Sequence, residues 1–239
     1  MNKKEKNGVL IFVKSPETGK VKSRLSISID EETVVKIYKL FVQDILQKLE
    51  KIPDEKIICY YPKNAIDEIK KWLGPDYLYI AQKGNNLGER LKNGFTHGFQ
   101  SGFSKLIAIG SDSPDLKLEF FIDTFKNLEY YDTVIGPCSD GGYYLIGFSN
   151  NSFYPKVFEN IPWSTEKVYK KSIDSLNKAD LKIYNLPVWQ DVDTIENLFY
   201  LYERNQDTEF KNSETIVFLS KFFNNNPIIN FGDKKIEKR

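Results

Sequence analysis

Four cations fall within the eleven residues Lys14-Ser15-Pro16-Glu17-Thr18-Gly19-Lys20-Val21-Lys22-Ser23-Arg24, directly after an apolar run. Lys14, Lys20, Lys22 and Arg24 beside exposed backbone N–H groups form a cradle suited to a di- or triphosphate. The segment is not a P-loop, because G-x-x-x-x-G-K-[ST] needs Gly where Lys14 stands and Ser or Thr where Val21 stands. A solvated basic turn has the same composition, so the loop alone does not decide between the two.

Carboxylates supply the complementary chemistry. Gly110-Ser111-Asp112-Ser113-Pro114-Asp115 follows a second apolar run, and an Asp at a strand end can hold a divalent ion that bridges nucleotide phosphates. Asp112 reads as that ligand, whereas Asp115 reads as the cap of the helix that follows. Asp140-Gly141-Gly142 joins a carboxylate to two glycines that let backbone approach a ligand closely or form a hairpin turn. In Asp191-Val192-Asp193-Thr194 the carboxylates alternate, so on a strand they share one face and can share a cation; Asp193 or Thr194 can equally cap the next helix. Trp163-Ser164-Thr165 offers hydroxyls that also suit a helix cap.

Softer chemistry is largely excluded. A single histidine, His97, and two distant cysteines, Cys59 and Cys138, do not make an ordinary zinc site. A metal here needs carboxylate and phosphate oxygens, which select Mg²⁺ or Mn²⁺. A Ser-His-Asp triad would have to use His97, which lies among Phe95, Phe99 and Phe103 and reads as a packing or surface residue.

The elements that must position these groups alternate in type. Gly8–Lys14 reads as a strand buried on both faces. Asp30 with Glu31 and Glu32 opens a helix of about five turns, carried by Val34, Ile37, Tyr38, Phe41, Ile45 and Leu49. Strands follow at 56–61, 77–81, 106–109 and 133–136, with helices at 64–73, 87–103 and 118–128 between them. Beyond Gly142 come a strand at 143–148, an irregular stretch, a helix over 165–177, a short strand near 182–185 and closing helices at 195–203 and 214–223. Alternation of this kind implies right-handed βαβ crossovers and a three-layer α/β/α domain with a mainly parallel central sheet.

The 239 residues suit one such domain over 1–225, with 226–239 expected as a polar C-terminal tail. Hydrophobic residues make up 41% and aromatic residues 14%, enough for a large core. Lys and Arg number 34 against 33 Asp and Glu, a balance that argues against a nucleic-acid-binding or membrane-surface protein. Apolar runs such as Val9–Val13 fall far short of the roughly 18 residues of a membrane span. The basic start, Met1–Lys6, lacks the long apolar stretch and cleavage pattern of a signal peptide. Two cysteines give no disulfide framework, so the cytoplasm is the expected compartment.

Taken in order, the segments Phe12–Leu25, Leu87-Gly88-Glu89-Arg90-Leu91, Gly110–Leu116, Gly136-Pro137, Asp140-Gly141-Gly142-Tyr143-Tyr144-Leu145-Ile146-Gly147, Trp163-Ser164-Thr165 and Asp191–Thr194 resemble the DUF2064 family. These are glycosyltransferase-A-like proteins, also called rSAM/selenodomain-associated transferase 1 and similar to arsenosugar-biosynthesis glycosyltransferases. The resemblance runs from about Gly8 to Phe223. It implies a nucleotide-diphospho-sugar transferase fold, shared with nucleotidyltransferases such as the guanylyltransferase of deazaflavin cofactor synthesis. It further implies that Asp112 and Asp193 hold a divalent metal, that Lys14, Lys20, Lys22 and Arg24 face phosphate, and that Asp140, Gly141 and Gly142 lie on the sugar or acceptor side. The chain departs from the D-x-D pattern of sugar transferases, which needs Asp where Pro114 stands.

The expected function is metal-dependent transfer of a glycosyl group from a nucleotide sugar to a small acceptor, with Asp112 as electrostatic centre and Asp140 as base. A nucleotidyltransferase using a nucleoside triphosphate and a phosphorylated small acceptor, with pyrophosphate as leaving group, is the competing expectation. A non-catalytic nucleotide-binding module is the third.

Overall fold

A computed structural model describes residues 5–226. Its centre is a seven-stranded sheet in the order β3-β2-β1-β4-β6-β5-β7. The strands are β1 (Asn7–Lys14), β2 (Glu55–Tyr61), β3 (Leu78–Ala81), β4 (Lys105–Ile109), β5 (Thr133–Pro137), β6 (Tyr143–Ser149) and β7 (Ile183–Asn185). Along β1, Val9, Ile11 and Val13 join one hydrophobic cluster while Leu10 joins another, the two-residue period of a strand buried on both faces.

The two clusters define the layers. On one face α1 (Glu31–Leu49), α2 (Ile66–Leu73) and α4 (Leu118–Asn127) contribute Tyr38, Val42, Ile45, Ile69, Phe121 and Phe125. On the other, α3 (Leu87–Gln100) and α5 (Val168–Lys178) contribute Leu91, Phe95, Phe99 and Leu176. A third cluster packs Val34, Ile37 and Phe41 of α1 against α6 (Ile195–Arg204) and α7 (Glu214–Asn225). The expected α/β/α layering is therefore present, with α6 and α7 added outside α1.

The parallel pairs are β1 with β2 and β4, β2 with β3, and β5 with β7. β6 runs antiparallel to both β4 and β5. Its direction follows from its connection: Cys138–Gly142 is far too short for a crossover, which needs about a dozen residues or more, so the chain turns back as a hairpin. Cys138 N–H donates to the Gly142 carbonyl at 3.0 Å and closes that turn.

Some helix ends follow local chemistry and others do not, and one of the latter matters for the site. Asp30 caps α1 by accepting from Thr33 N–H, and Thr194 caps α6 in a reciprocal box with Asn197. The helix expected at 87–103 stops at Gln100, because Gly102 turns at φ +87°. The helix expected from Thr165 begins at Val168, the Thr165 hydroxyl instead donating to the Pro162 carbonyl at 2.7 Å. Asp115 does not cap α4, whose N-cap is Lys117 without a side-chain bond; its carboxylate is committed elsewhere. Among the described residues no helix is long and apolar enough to cross a membrane. The expected polar tail lies outside the described residues apart from Asn226.

Candidate active site

β1 and β4 are adjacent and parallel, so the loops that leave their C-terminal ends emerge at one rim of the sheet. β5 points the same way, which brings the Cys138–Gly142 turn to that rim too. The 189–193 segment is laced across it: Val192 N–H donates to the Asp112 carbonyl at 2.9 Å, and Trp189 N–H to the Pro137 carbonyl at 3.0 Å. All the carboxylates singled out in the sequence thus reach one end of the sheet.

A cleft of about 570 Å³ opens there, lined by Lys14, Lys22, Arg24, Asp112 and Asp193 together with Tyr143 and Ser164. The basic loop is anchored at its root by Tyr38. The Tyr38 hydroxyl accepts from Lys14 N–H at 2.8 Å and donates back to the Lys14 carbonyl at 3.2 Å. Burial pushes that hydroxyl up to about 12, so it remains a donor throughout the physiological range.

Lys22 does not project freely from the loop. Its ammonium pairs with the Asp112 carboxylate, donates to the Val192 carbonyl at 2.5 Å and lies 3.5 Å from Asp193 Oδ1. Arg24 approaches the other oxygen of Asp193, also at 3.5 Å, with its own side chain 64% exposed. Lys20 is exposed and is not part of the cleft wall. Two of the four expected phosphate cations therefore meet the two expected metal ligands directly.

Asp140, Gly141 and Gly142 do not line the cleft themselves; they lie in the turn that leads into Tyr143, which does. Asp140 Oδ1 accepts from Gly142 N–H at 2.8 Å. A ligand atom of Asp140, one of Asp191 and the Cys138 sulfur all lie within 4.8 Å of one another. Burial, then Asp140, Asp193 and Asp112, push the Asp191 carboxyl up to about 6, with Lys22 opposing. The space left by Gly141 is filled from within the protein: a Cβ there would stand 2.1 Å from the Glu166 carbonyl, and φ is +88°. Tyr169 N–H bonds the Gly141 carbonyl at 2.8 Å, so this glycine lets one backbone meet another.

The donor set decides which ion suits the rim. Burial, then Asp191 and Asp140, push the Cys138 thiol well above its ordinary value, which disfavours the thiolate that a soft metal requires. The carboxylates of Asp112, Asp140, Asp191 and Asp193 remain, hard oxygens that fit Mg²⁺ or Mn²⁺.

Behind the cleft the same loop is clamped. Arg204 donates two bonds of 2.7 Å to the Asp115 carboxylate, Asn205 Nδ2 adds one at 2.9 Å and Trp189 Nε1 one at 3.1 Å. Arg204 also reaches the Gln190 carbonyl at 3.0 Å, next to Asp191. Burial pushes Asp115 upward, but Arg204, Asn205 and Trp189 hold its carboxyl below the ordinary value. Lys48 completes the clamp by donating to the carbonyls of Pro114, at 3.0 Å, and Leu116.

Two groups entered the site without being picked out as ligands. Gln82, just past β3, donates to the Val13 carbonyl at 3.1 Å and the Cys59 carbonyl at 2.7 Å and lines the cleft. Its place after a strand was the same signal that marked Asp112. Arg90 lies over the Tyr61 ring at 3.9 Å and bonds the Gly84 carbonyl at 3.1 Å. His97 is exposed on α3 and faces a neighbouring hollow.

Comparison with known proteins gives two kinds of likeness. Residues 45–165 match the model of a family described as an uncharacterized protein conserved in bacteria, DUF2064. A crystal structure from Desulfovibrio desulfuricans G20, of a protein provisionally designated a nucleotide-diphospho-sugar transferase, is 38% identical with a TM-score of 0.89. That match covers 94% of this chain and 96% of the other. A cytidylyltransferase from Leptospira borgpetersenii is 14% identical at TM-score 0.54, covering 94% of this chain and 96% of that one. A CMP:2-keto-3-deoxy-manno-octonic acid synthetase solved with CTP is 10% identical at TM-score 0.53, covering 82% and 97%. The last two are likenesses of fold alone. No curated protein sequence matches the chain.

Proposed function

The chain belongs to the DUF2064 family and has the nucleotide-diphospho-sugar transferase fold, and from that premise we propose that it is a metal-dependent transferase that moves a glycosyl group from a nucleotide sugar to a small acceptor. The observation that carries this reading is the meeting of Lys14, Lys22 and Arg24 with Asp112 and Asp193 in one cleft at the strand ends. Cations and hard oxygens side by side are what a diphosphate with its counter-ion requires. Asp112 and Asp193 are the residues that would hold the Mg²⁺ or Mn²⁺. Once bound, such an ion offsets the charge that grows on a departing nucleoside diphosphate.

The chain's own groups do the rest. Lys14 and Arg24 line the cleft where the diphosphate would sit, and Tyr38 fixes the backbone from which Lys14 projects. Asp140, oriented by the Gly142 N–H, takes the proton of the acceptor hydroxyl. Asp191, close to Asp140, is pushed up to about 6 by burial and by its carboxylate neighbours.

The test is a panel of nucleotide sugars and nucleoside triphosphates incubated with Mg²⁺, Mn²⁺ or EDTA. Release of a nucleoside diphosphate from one class of nucleotide sugar, only with metal, is the expected result. Pyrophosphate release from a triphosphate would replace glycosyl by nucleotidyl transfer, and turnover undiminished in EDTA would remove the metal.

A further inference from the structure

Lys22 belongs to a polar loop, yet its side chain is only 3% exposed. Its backbone sits at φ +48°, a left-handed conformation that non-glycine residues seldom adopt. An ammonium has three N–H donors. Three oxygens surround this one: Asp112 Oδ1, the Val192 carbonyl at 2.5 Å and Asp193 Oδ1 at 3.5 Å. The Phe41 ring lies 5.6 Å away on a further side. Lys14 and Lys20, by contrast, have no ion pair among the described residues.

We propose that Lys22 is an internal counter-cation whose ammonium and a divalent ion exchange on the same carboxylate oxygens, so that metal binding frees Lys22 to become a diphosphate ligand. The inference rests on the reading of Asp112 and Asp193 as metal ligands. Its logic is charge balance. Two carboxylates and one ammonium leave the trio one negative charge in excess. A divalent ion in place of the ammonium makes the pair neutral, and the displaced ammonium then adds a positive charge to the cleft just where an anion enters. Metal and diphosphate affinities are therefore coupled, and the coupling is reciprocal. Arg24, mostly exposed and on the outer oxygen of Asp193, does not need to move.

Lysine labelling of the unmodified protein with an amine-acylating reagent, read by mass spectrometry with and without Mn²⁺, tests the exchange. Lys22 is expected to react slowly without metal and at least fivefold faster with saturating Mn²⁺, while Lys20 changes less than twofold. Two variants give a second readout. Mn²⁺ should bind Lys22→Met at least fivefold more tightly than wild type, and Lys20→Met, which removes the same charge from the exposed part of the loop, within twofold. Inorganic pyrophosphate should bind Lys22→Met and wild type alike in EDTA, and Lys22→Met more weakly in Mg²⁺. Unchanged Lys22 labelling in protein that demonstrably binds Mn²⁺ overturns the exchange and leaves the metal site standing. Failure of wild type and Lys22→Met alike to bind Mn²⁺ overturns both.

Discussion

Asp112 and Asp115 lie on one loop, at its front and its rear, and their surroundings are opposite. The side chain of Asp112 is 48% exposed in the cleft and its partner within the protein is a lysine from another loop. That of Asp115 is 1% exposed and receives bonds from Arg204, Asn205 and Trp189. A carboxylate saturated by fixed donors has no free lone pair for a ligand and serves to hold backbone in place. One that is half open, facing cations, can exchange its partners. The loop is rigid behind so that it can be chemically available in front.

Breaking the rear should cost the fold most. Arg204→Ala leaves the Asp115 charge buried without its bidentate partner, a loss of about 3–5 kcal/mol, seen as a melting temperature lower by roughly 10 °C. Wild-type melting in that variant would put Asp115 in the same class as Asp112. Asp112→Asn should do the reverse, cutting metal-dependent donor turnover about 100-fold with a smaller loss of stability than Arg204→Ala, because the buried Lys22 ammonium keeps the Val192 carbonyl and Asp193. Retained turnover would take away its assignment.

Smaller effects sharpen the contrast along the rim. Gly141→Ala places a Cβ against the Glu166 backbone at positive φ, and calorimetry should show about 1–3 kcal/mol of destabilisation. Thr194→Ala removes the cap of α6, and urea titration should find about 1 kcal/mol lost. The last is a dependence on pH. Asp115 is held below its ordinary 3.8, so the unfolded chain binds more protons in acid. Its contribution is complete above that value and is lost as pH falls through the folded-state value. The acid slope of stability should therefore be shallower in Asp115→Asn than in wild type.

The same two aspartates show how far the sequence could be read. Asp112 was legible because an unbroken apolar run, Leu106–Ile109, ends just before it, and strand ends in α/β sheets face ligands. A cap at Asp193 or Thr194 was legible from residue type just ahead of the Ile195 helix, and the structure gives the place to Thr194 through Asn197. Asp115 looked like a cap for the same local reason, but Arg204 stands 89 positions along the chain, and no local pattern encodes that bond. The inward turn of Lys22 depends on Val192, 170 positions away. Asp191 was visible as one of an alternating pair; its nearness to Asp140 and Cys138 comes from the pairing of β5 with β7 and the lacing of Trp189 to Pro137. Local order was written in period and punctuation, and the meeting of the loops was written in the topology.

The antiparallel β6 has a consequence for how the molecule is made. It lies between β4 and β5, so those two strands never touch, and the sheet is joined across its middle only when β6 inserts. During synthesis β3, β2, β1 and β4 are complete by Ile109 and can pair in order while the remainder is still emerging. The rim that carries Asp112 and the rim that carries Asp140 are then brought together in the same event that closes the sheet. In pulse-labelled hydrogen exchange during refolding, β6 amides should gain protection later than those of β1 and β4, and nucleotide binding should appear with β6.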